Sequence, residues 1–388
     1  MAKRNAQGAG SIRERKPGLW EARYTLGRDP VTGKPIRKSV YGKSQKEVRK
    51  KLTSVTSAID EGTYTEPSRL TFGQWLTIWA EEFCGAVKPR TKTLYEKTID
   101  YRIRPYLGHI ALFKLNPATI QKFYNDALAG NVEGKDAISA KTVRNLHGII
   151  HKALQQAVEI GYLKVNPAGA CVLPKAQKAQ INPLDESQTQ SFIEAIKRDP
   201  FQRLFLLALF TGMREGEILG LTWEAVDFSA GTINIFQQLQ LHNGKYCLMA
   251  PKNGNPRIIA PAPFVMDILK QERKEQAENR LKSGPLWVSS DFVFTDEVGQ
   301  HMKRQTVYKH FKDIMASIGL PSIRFHDLRH SYAVAAIRAG DDIKTVSENL
   351  GHASVAFTLD IYGHVTDEMK KSSADRMQAY IDHLKVKN

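Results

Sequence analysis

Leu209-Phe210-Thr211-Gly212-Met213-Arg214-Glu215-Gly216-Glu217-Ile218-Leu219-Gly220-Leu221 reads as the end of one apolar helix and the start of another. Thr211-Gly212 gives the stop, since glycine closes a helix in a left-handed conformation at little cost. Arg214 then falls at a helix N-terminus, where backbone N–H groups also favour anions. Most of the chain on either side of this stretch carries helical spacing, so a mainly helical domain is expected here. Short alternating segments interrupt it at Thr232–Phe236, Lys245–Met249 and Arg257–Ile259, with Asn243-Gly244 and Asn253-Gly254 turns. They predict one small antiparallel sheet within the helical domain.

Three further clusters lie downstream. Pro251-Lys252-Asn253-Gly254-Asn255-Pro256-Arg257 predicts Lys252 at an exposed hairpin tip. In Arg324-Phe325-His326-Asp327-Leu328-Arg329-His330-Ser331-Tyr332, His326 and Arg329 are three apart and share a helix face. Leu350-Gly351-His352 is followed, ten residues after the histidine, by Tyr362. Each has an ordinary reading by itself: a surface salt-bridge arginine, a packed tyrosine. His326 and His330 have the i, i+4 spacing of a zinc pair. Asp327 stands where the base of H-E-x-x-H would be, and no cysteine supports a metal, which argues against zinc.

Upstream, the pattern changes twice. Trp20, Ala22, Tyr24 and Leu26 alternate with polar residues, and so do Ile36, Lys38 and Val40; Ser44-Gln45-Lys46-Glu47 then caps a helix running to about Asp60. Residues 1–62 therefore predict a three-stranded sheet plus one helix, with basic residues on the open sheet face. Residues 70–165 predict about four helices: one after Thr71, one from Pro89 stopped by Pro105 and Gly108, one capped by Asn116-Pro117, and a long one capped by Ser139. Lys88, Arg90, Lys92, Lys97, Arg102, Arg104, Lys141 and Arg144 give this domain a basic surface. Lys164–Pro183 holds three prolines and reads as the linker to a third domain over 180–388. The fold class expected is α+β and multidomain.

The 388 residues carry 56 Lys and Arg against 40 Asp and Glu, a formal charge of +16. Residues 1–62 hold 15 of the cations and only 6 of the acids. Such an excess points to a polyanion, most often nucleic acid. No apolar run approaches the ~18 residues of a membrane span, and the start has no secretory pattern. Three scattered cysteines (Cys84, Cys171, Cys247) exclude a disulfide framework and suit a reducing cytoplasm. A cytoplasmic protein is expected.

Taken together, Arg214, Lys252, His326-x-x-Arg329, His352 and Tyr362 closely resemble the tyrosine recombinase (phage integrase) family. Thr211–Glu217 looks like the first arginine box, with Glu217 as its acidic residue. His326–His330 looks like the second, Leu350-Gly351-His352 the third, and Tyr362 stands at the distance of the nucleophile. At the hairpin, Lys252 and Arg257 fit, while Pro251 replaces the more usual threonine. The N-terminal domain looks like the arm-binding domain of integrases from conjugative transposons, and 70–165 like their core-binding domain. The resemblance implies a site-specific recombinase for double-stranded DNA, a tetramer on its sites, and an excisionase or DNA-bending partner. A type IB topoisomerase shares this chemistry and is the second reading; a DNA-binding regulator without activity is the third.

The residue types suit the reaction. A phosphodiester becoming five-coordinate gathers negative charge on its nonbridging oxygens, and two planar guanidinium groups, Arg214 and Arg329, match two such oxygens. His326 and His352 add hydrogen bonds, and His326 can assist proton removal. Tyr362 attacks, and Lys252 protonates the leaving 5′-oxygen. No cofactor is expected: the sequence has no G-x-x-x-x-G-K-[ST] loop and no acidic cluster of the kind that holds Mg²⁺. The tail from Thr366 to Asn388 has Met369, Met377, Ile381 and Leu384 at helical spacing, so it packs on its own domain or on a neighbouring subunit. The whole reading requires the Tyr362 phenol beside the two guanidinium groups.

Overall fold

In the computed structural model, residues 11–28, 32–60, 70–132, 136–176, 181–242, 244–251, 255–352, 354–362 and 377–384 are described. The chain divides into two compact units, residues 1–178 and 179–388.

The first unit opens with an antiparallel sheet of β1 (Ser11–Lys16), β2 (Leu19–Arg28) and β3 (Pro35–Gly42), in that spatial order. Its alternation is as the sequence predicts. Ala22 and Tyr24 are buried against Val48 and Leu52 of α1 (Gln45–Asp60), with Trp20 and Val40 packed around them. The Ser44 hydroxyl accepts from the Glu47 N–H at 3.3 Å and starts α1.

The helical part has its own core. It comprises α2 (Phe72–Ile78), α3 (Pro89–Thr98), α4 (Arg104–Leu107), α5 (Pro117–Ala129) and α6 (Ala140–Glu159). Ser139 caps α6, and Val143, Leu146, Ile150, Ala153 and Leu154 repeat along its buried stripe. Trp75 of α2 is fully buried there and donates its indole N–H to the Ala153 carbonyl at 2.8 Å. Pro105 does not stop the second helix, contrary to the sequence expectation. A wide turn over Ile99–Ile103 lets the Arg104 N–H reach back to the Ile99 carbonyl, and the chain stays helical through Leu107. The wide turn displaces the carbonyl that the proline ring would otherwise strike.

Two more expectations change here. Arg104 is not part of an open basic surface: it bonds Asp100, the Gly73 carbonyl and the Thr77 hydroxyl, which ties α4 to α2. The stretch from Lys164 is not all linker. Asn166 caps a short turn at Pro167–Ala170, and Ala168 is fully buried in the helical core.

The second unit is mainly helical: α7 (Glu186–Ala195), α8 (Gln202–Thr211) and α9 (Glu215–Leu219) come first. Strands β4 (Val226–Asp227), β5 (Thr232–Ile235), β6 (Gln238–His242), β7 (Lys245–Met249) and β8 (Arg257–Ile259) follow. Then come α10 (Pro263–Ser283), α11 (Arg304–Ser317), α12 (Phe325–Ala339), α13 (Ile343–Leu350) and α14 (Val355–Tyr362). The strands form two sheets rather than one: β4-β5-β8, and the separate pair β6-β7. β7 and β8 therefore lie in different sheets and do not pair with each other, and the hairpin tip expected at Lys252 falls outside the described residues. The reason is β6, unforeseen in the sequence, which takes β7 as its partner and leaves β5 to pair with β8.

The core of this unit is aromatic at its centre. Phe325, first residue of α12, lies 5.4 Å from Phe311 and 6.2 Å from Phe205, ring centre to centre. These offset and edge contacts fix the N-terminal end of α12 and so the position of the next turn, which carries His326 and Arg329.

Candidate active site

Arg214 is the N-cap of α9, as the sequence predicts. The Gly212 turn before it has φ +63°, and a Cβ there would come within 2.5 Å of the Tyr332 ring, so only glycine fits. The Arg214 backbone N–H donates to Glu217 at 2.9 Å and its Nη1 donates to the same carboxylate at 2.7 Å. Its Nη2 donates to the Gly351 carbonyl at 2.9 Å.

Glu217 is fully buried and is shared. Arg257 of β8 grips it through both Nη groups, at 3.0 and 2.6 Å, and donates Nε–H to the Asn349 carbonyl at 2.7 Å. Burial alone would push the Glu217 carboxyl up; hydrogen bonds and charge from Arg257 and Arg214 overcome it and hold the pKa at about 2. Arg257 thus locks β8, α9 and the end of α13 into one cluster. The resemblance marked it only as fitting.

Arg329 reaches the same place from α12. It is 2% exposed, donates Nη1 to the Gly212 carbonyl at 2.8 Å, and donates Nη2 to the Leu350 carbonyl. Burial, then the charge of Arg214, press its pKa down to about 9, which still leaves the guanidinium charged at neutral pH. The carbonyls of Leu350 and Gly351 close α13, where a helix offers unpaired acceptors and the negative end of its dipole. Both arginines are therefore anchored on fixed backbone oxygens. Two guanidinium groups, Arg214 and Arg257, share the Glu217 carboxylate, and the third, Arg329, is held on backbone carbonyls, so the cluster keeps an excess of positive charge ready for an anion.

His352 follows directly. Its Nδ1 pairs with the Thr358 hydroxyl at 2.8 Å, which leaves Nε2 for a ligand, and Phe357 packs edge-on against the ring at 4.9 Å. Burial and then Arg329 and Arg214 hold His352 at about 3. His326 stands 5.1 Å from His330, ring to ring, and partial burial followed by His330 and Arg329 presses it to about 4. Both imidazoles are neutral at pH 7 in the free protein. Asp327 bonds the Arg324 N–H at 2.8 Å and the Arg324 side chain, so it caps α12.

Tyr362 is not beside the arginines as a bonded partner. It ends α14 with its ring 2% exposed among Val334, Ile337, Val346 and Leu350, and its hydroxyl pairs with His330 Nδ1 at 2.6 Å. Burial pushes its pKa up to about 12, only partly offset by the charge of Arg329. His330 was not foreseen as a partner. Its place directly after Arg329 was the available signal. Lys252 lies outside the described residues, as does the tail before Met377. Residues 377–383 are helical, with Met377, Tyr380 and Leu384 each more than half exposed.

Residues 182–369 match the sequence pattern of the phage integrase family, and residues 71–128 that of its N-terminal SAM-like domain. A XerC-like tyrosine recombinase of Caldanaerobacter subterraneus is 31% identical over 378 residues, covering 91% of this chain and 94% of that one. The chain belongs to the tyrosine recombinase (phage integrase) family. This recombinase is also similar to the ICEBs1 integrase of Bacillus subtilis, 24% identical over 95% of this chain and 99% of the other. Among solved structures, the Tn1549 transposon integrase bound to a circular-intermediate DNA superposes with TM-score 0.67 at 20% identity, over 79% of this chain and 99% of that one. A lambda integrase tetramer on a Holliday junction gives 0.55 at 19% identity, over 88% and 95%. The tyrosine recombinase is thus an enzyme that cuts and rejoins DNA by transesterification at specific sites.

Proposed function

We propose that this recombinase integrates and excises a mobile element through a 3′-phosphotyrosyl link formed by Tyr362. The scissile phosphate sits against Arg214 and Arg329. The phenol oxygen attacks phosphorus, the bond to the 5′-oxygen breaks, and the phenol proton passes to His326 or solvent. Lys252 returns a proton to the leaving 5′-oxygen. Bond energy is kept in the tyrosyl ester, so rejoining needs no ATP. The observation that carries this reading is the anchoring of both arginines on the Gly212 turn and the end of α13, with His352 alongside.

Residues 1–62 take the arm-type sites, 70–165 the core-type sites, and 180–388 the chemistry. The exposed apolar residues of 377–384 favour packing on a second subunit, in a tetramer on DNA, over packing in cis. An excisionase or DNA-bending protein completes the assembly, which gathers on the bacterial nucleoid.

A nicked suicide duplex tests the reading. Loss of the short fragment beyond the cleavage point traps the covalent product. The full chain is expected to form an adduct resistant to denaturant, and Tyr362→Phe to bind the duplex with none. An adduct formed equally by Tyr362→Phe would overturn the assignment. Processive relaxation of a plasmid without specific sites would instead favour a topoisomerase.

A further inference from the structure

The face of the β1-β2-β3 sheet opposite α1 has a carboxylate at its centre. Glu21 pairs with Arg13 on one side and Tyr41 on the other in the strand register. Its side chain is 2% exposed, although it lies on the open face, because other side chains roof it. Arg13 Nε is 2.7 Å from the carboxylate, Arg15 Nε 3.5 Å and Arg23 Nε 3.4 Å. The Ser39 and Tyr41 hydroxyls donate to it at 2.9 and 3.1 Å. Its pKa is held at about 2, by the Arg13 hydrogen bond first and then, against burial, by Ser39 and Tyr41. The three arginines remain 46–49% exposed.

An acidic group on a face that binds a polyanion lowers attraction to phosphate, so affinity does not account for it. Its geometry does something else. Each arginine meets the carboxylate through Nε, which turns the Nη1–Nη2 edge of the guanidinium away from it. That edge is the one that bonds guanine O6 and N7 in the major groove, where a β-sheet can lie. Holding three guanidinium groups beforehand also lowers the rotamer entropy lost on binding. We propose that Glu21 is a specificity-determining positioning residue, which aligns Arg13, Arg15 and Arg23 to read guanines of a duplex arm site. This rests on the reading of residues 1–62 as a DNA-binding domain.

The test starts from a pool of random 20-base-pair duplexes selected on the full chain. Motifs that depend on the sheet are those absent after the same selection with Arg13→Ala/Arg15→Ala/Arg23→Ala, whose fold is checked by circular dichroism. The full chain is expected to yield one such motif, rich in guanine. Glu21→Gln is expected to lower the ratio of affinities for that motif over a scrambled duplex by roughly tenfold, the value of one bidentate arginine–guanine contact. Affinity for the scrambled duplex should hold or rise, because a negative charge is gone. Tyr41→Phe, which keeps the carboxylate and loses one donor, should fall between. Glu21→Gln with unchanged discrimination would overturn the inference and leave the domain reading intact. Equal loss of affinity for both duplexes would mean a damaged sheet, and would also count against the positioning role. Absence of any sheet-dependent motif in the full chain would remove the domain reading and the inference together.

Discussion

Arg214 and Arg329 are 115 residues apart in sequence, yet both are bonded to carbonyls within Gly212 and Leu350–Gly351. Residue identity at these anchor points is narrow. Gly212→Ala forces a side chain into a φ of +63° and onto the Tyr332 ring. The expected cost is about 2–4 kcal/mol, from roughly 1 for the left-handed backbone plus 1–3 for overpacking, read as a lowered urea midpoint together with lost cleavage. Glu217→Ala leaves Arg214 and Arg257 without their buried partner and should cost about 3–5 kcal/mol; a loss below 1 kcal/mol in the same titration would show the cluster is not held this way. The clustering of Arg214, Arg329 and His352 was approachable from sequence because each lies in a short local pattern. The bond from Tyr362 to His330 was not, since it spans 32 residues and depends on how α14 packs. Arg257 was visible as a residue but not as the clamp on Glu217.

Helix α14 holds the Tyr362 hydroxyl, the proposed nucleophile, on His330 and away from the bonds of the two arginines. A phenol with a pKa of about 12 resists ionisation at pH 7 by about 7 kcal/mol. Leaving the pocket for the guanidinium pair exchanges an apolar setting for a cationic one and lowers that barrier. Residues 355–362 are therefore expected to exchange amide hydrogens faster when the core DNA site is bound, measured by mass spectrometry. Undiminished protection during full cleavage would argue that the ring attacks from where it lies. Local patterning also explains which elements were foreseen. Helix caps at Ser139 and Asn116 act through neighbours three residues away, so sequence shows them. Strand pairing does not work locally. Three alternating segments near 231–262 predicted one sheet, but β6 drew β7 away and made two. Pro105 misled for a similar reason: the wide turn that accommodates it leaves no residue signature.

Across the whole molecule, positive charge and proton binding set how the protein responds to solution conditions. Among the basic residues of 70–165, Arg104 is held by Asp100, Gly73 and Thr77, so Arg104→Ala should lower stability and leave the salt dependence of DNA binding nearly unchanged. Lys141→Ala should do the reverse and reduce the log–log salt slope by about 1. Acid stability follows from the histidines. His326 and His352 have folded pKa values of about 4 and 3, below the ordinary imidazole value. The unfolded chain therefore binds more protons once the pH falls below about 6.5. The stability contributed by these neutral imidazoles is present above that pH and is lost as the pH falls toward 4 and then 3. Urea midpoints should drop across this window, less steeply in His326→Gln/His352→Gln.

The chemistry itself is decided by where the DNA becomes attached. Protease digestion of the trapped covalent complex, followed by mass spectrometry, identifies the peptide that carries the nucleotide and the end through which it is linked. A single 3′-linked nucleotide on Tyr362 is expected. A nucleotide on Tyr332 or on a serine, or attachment through a 5′ end, would refute the assignment of the nucleophile and with it the role given to the paired arginines.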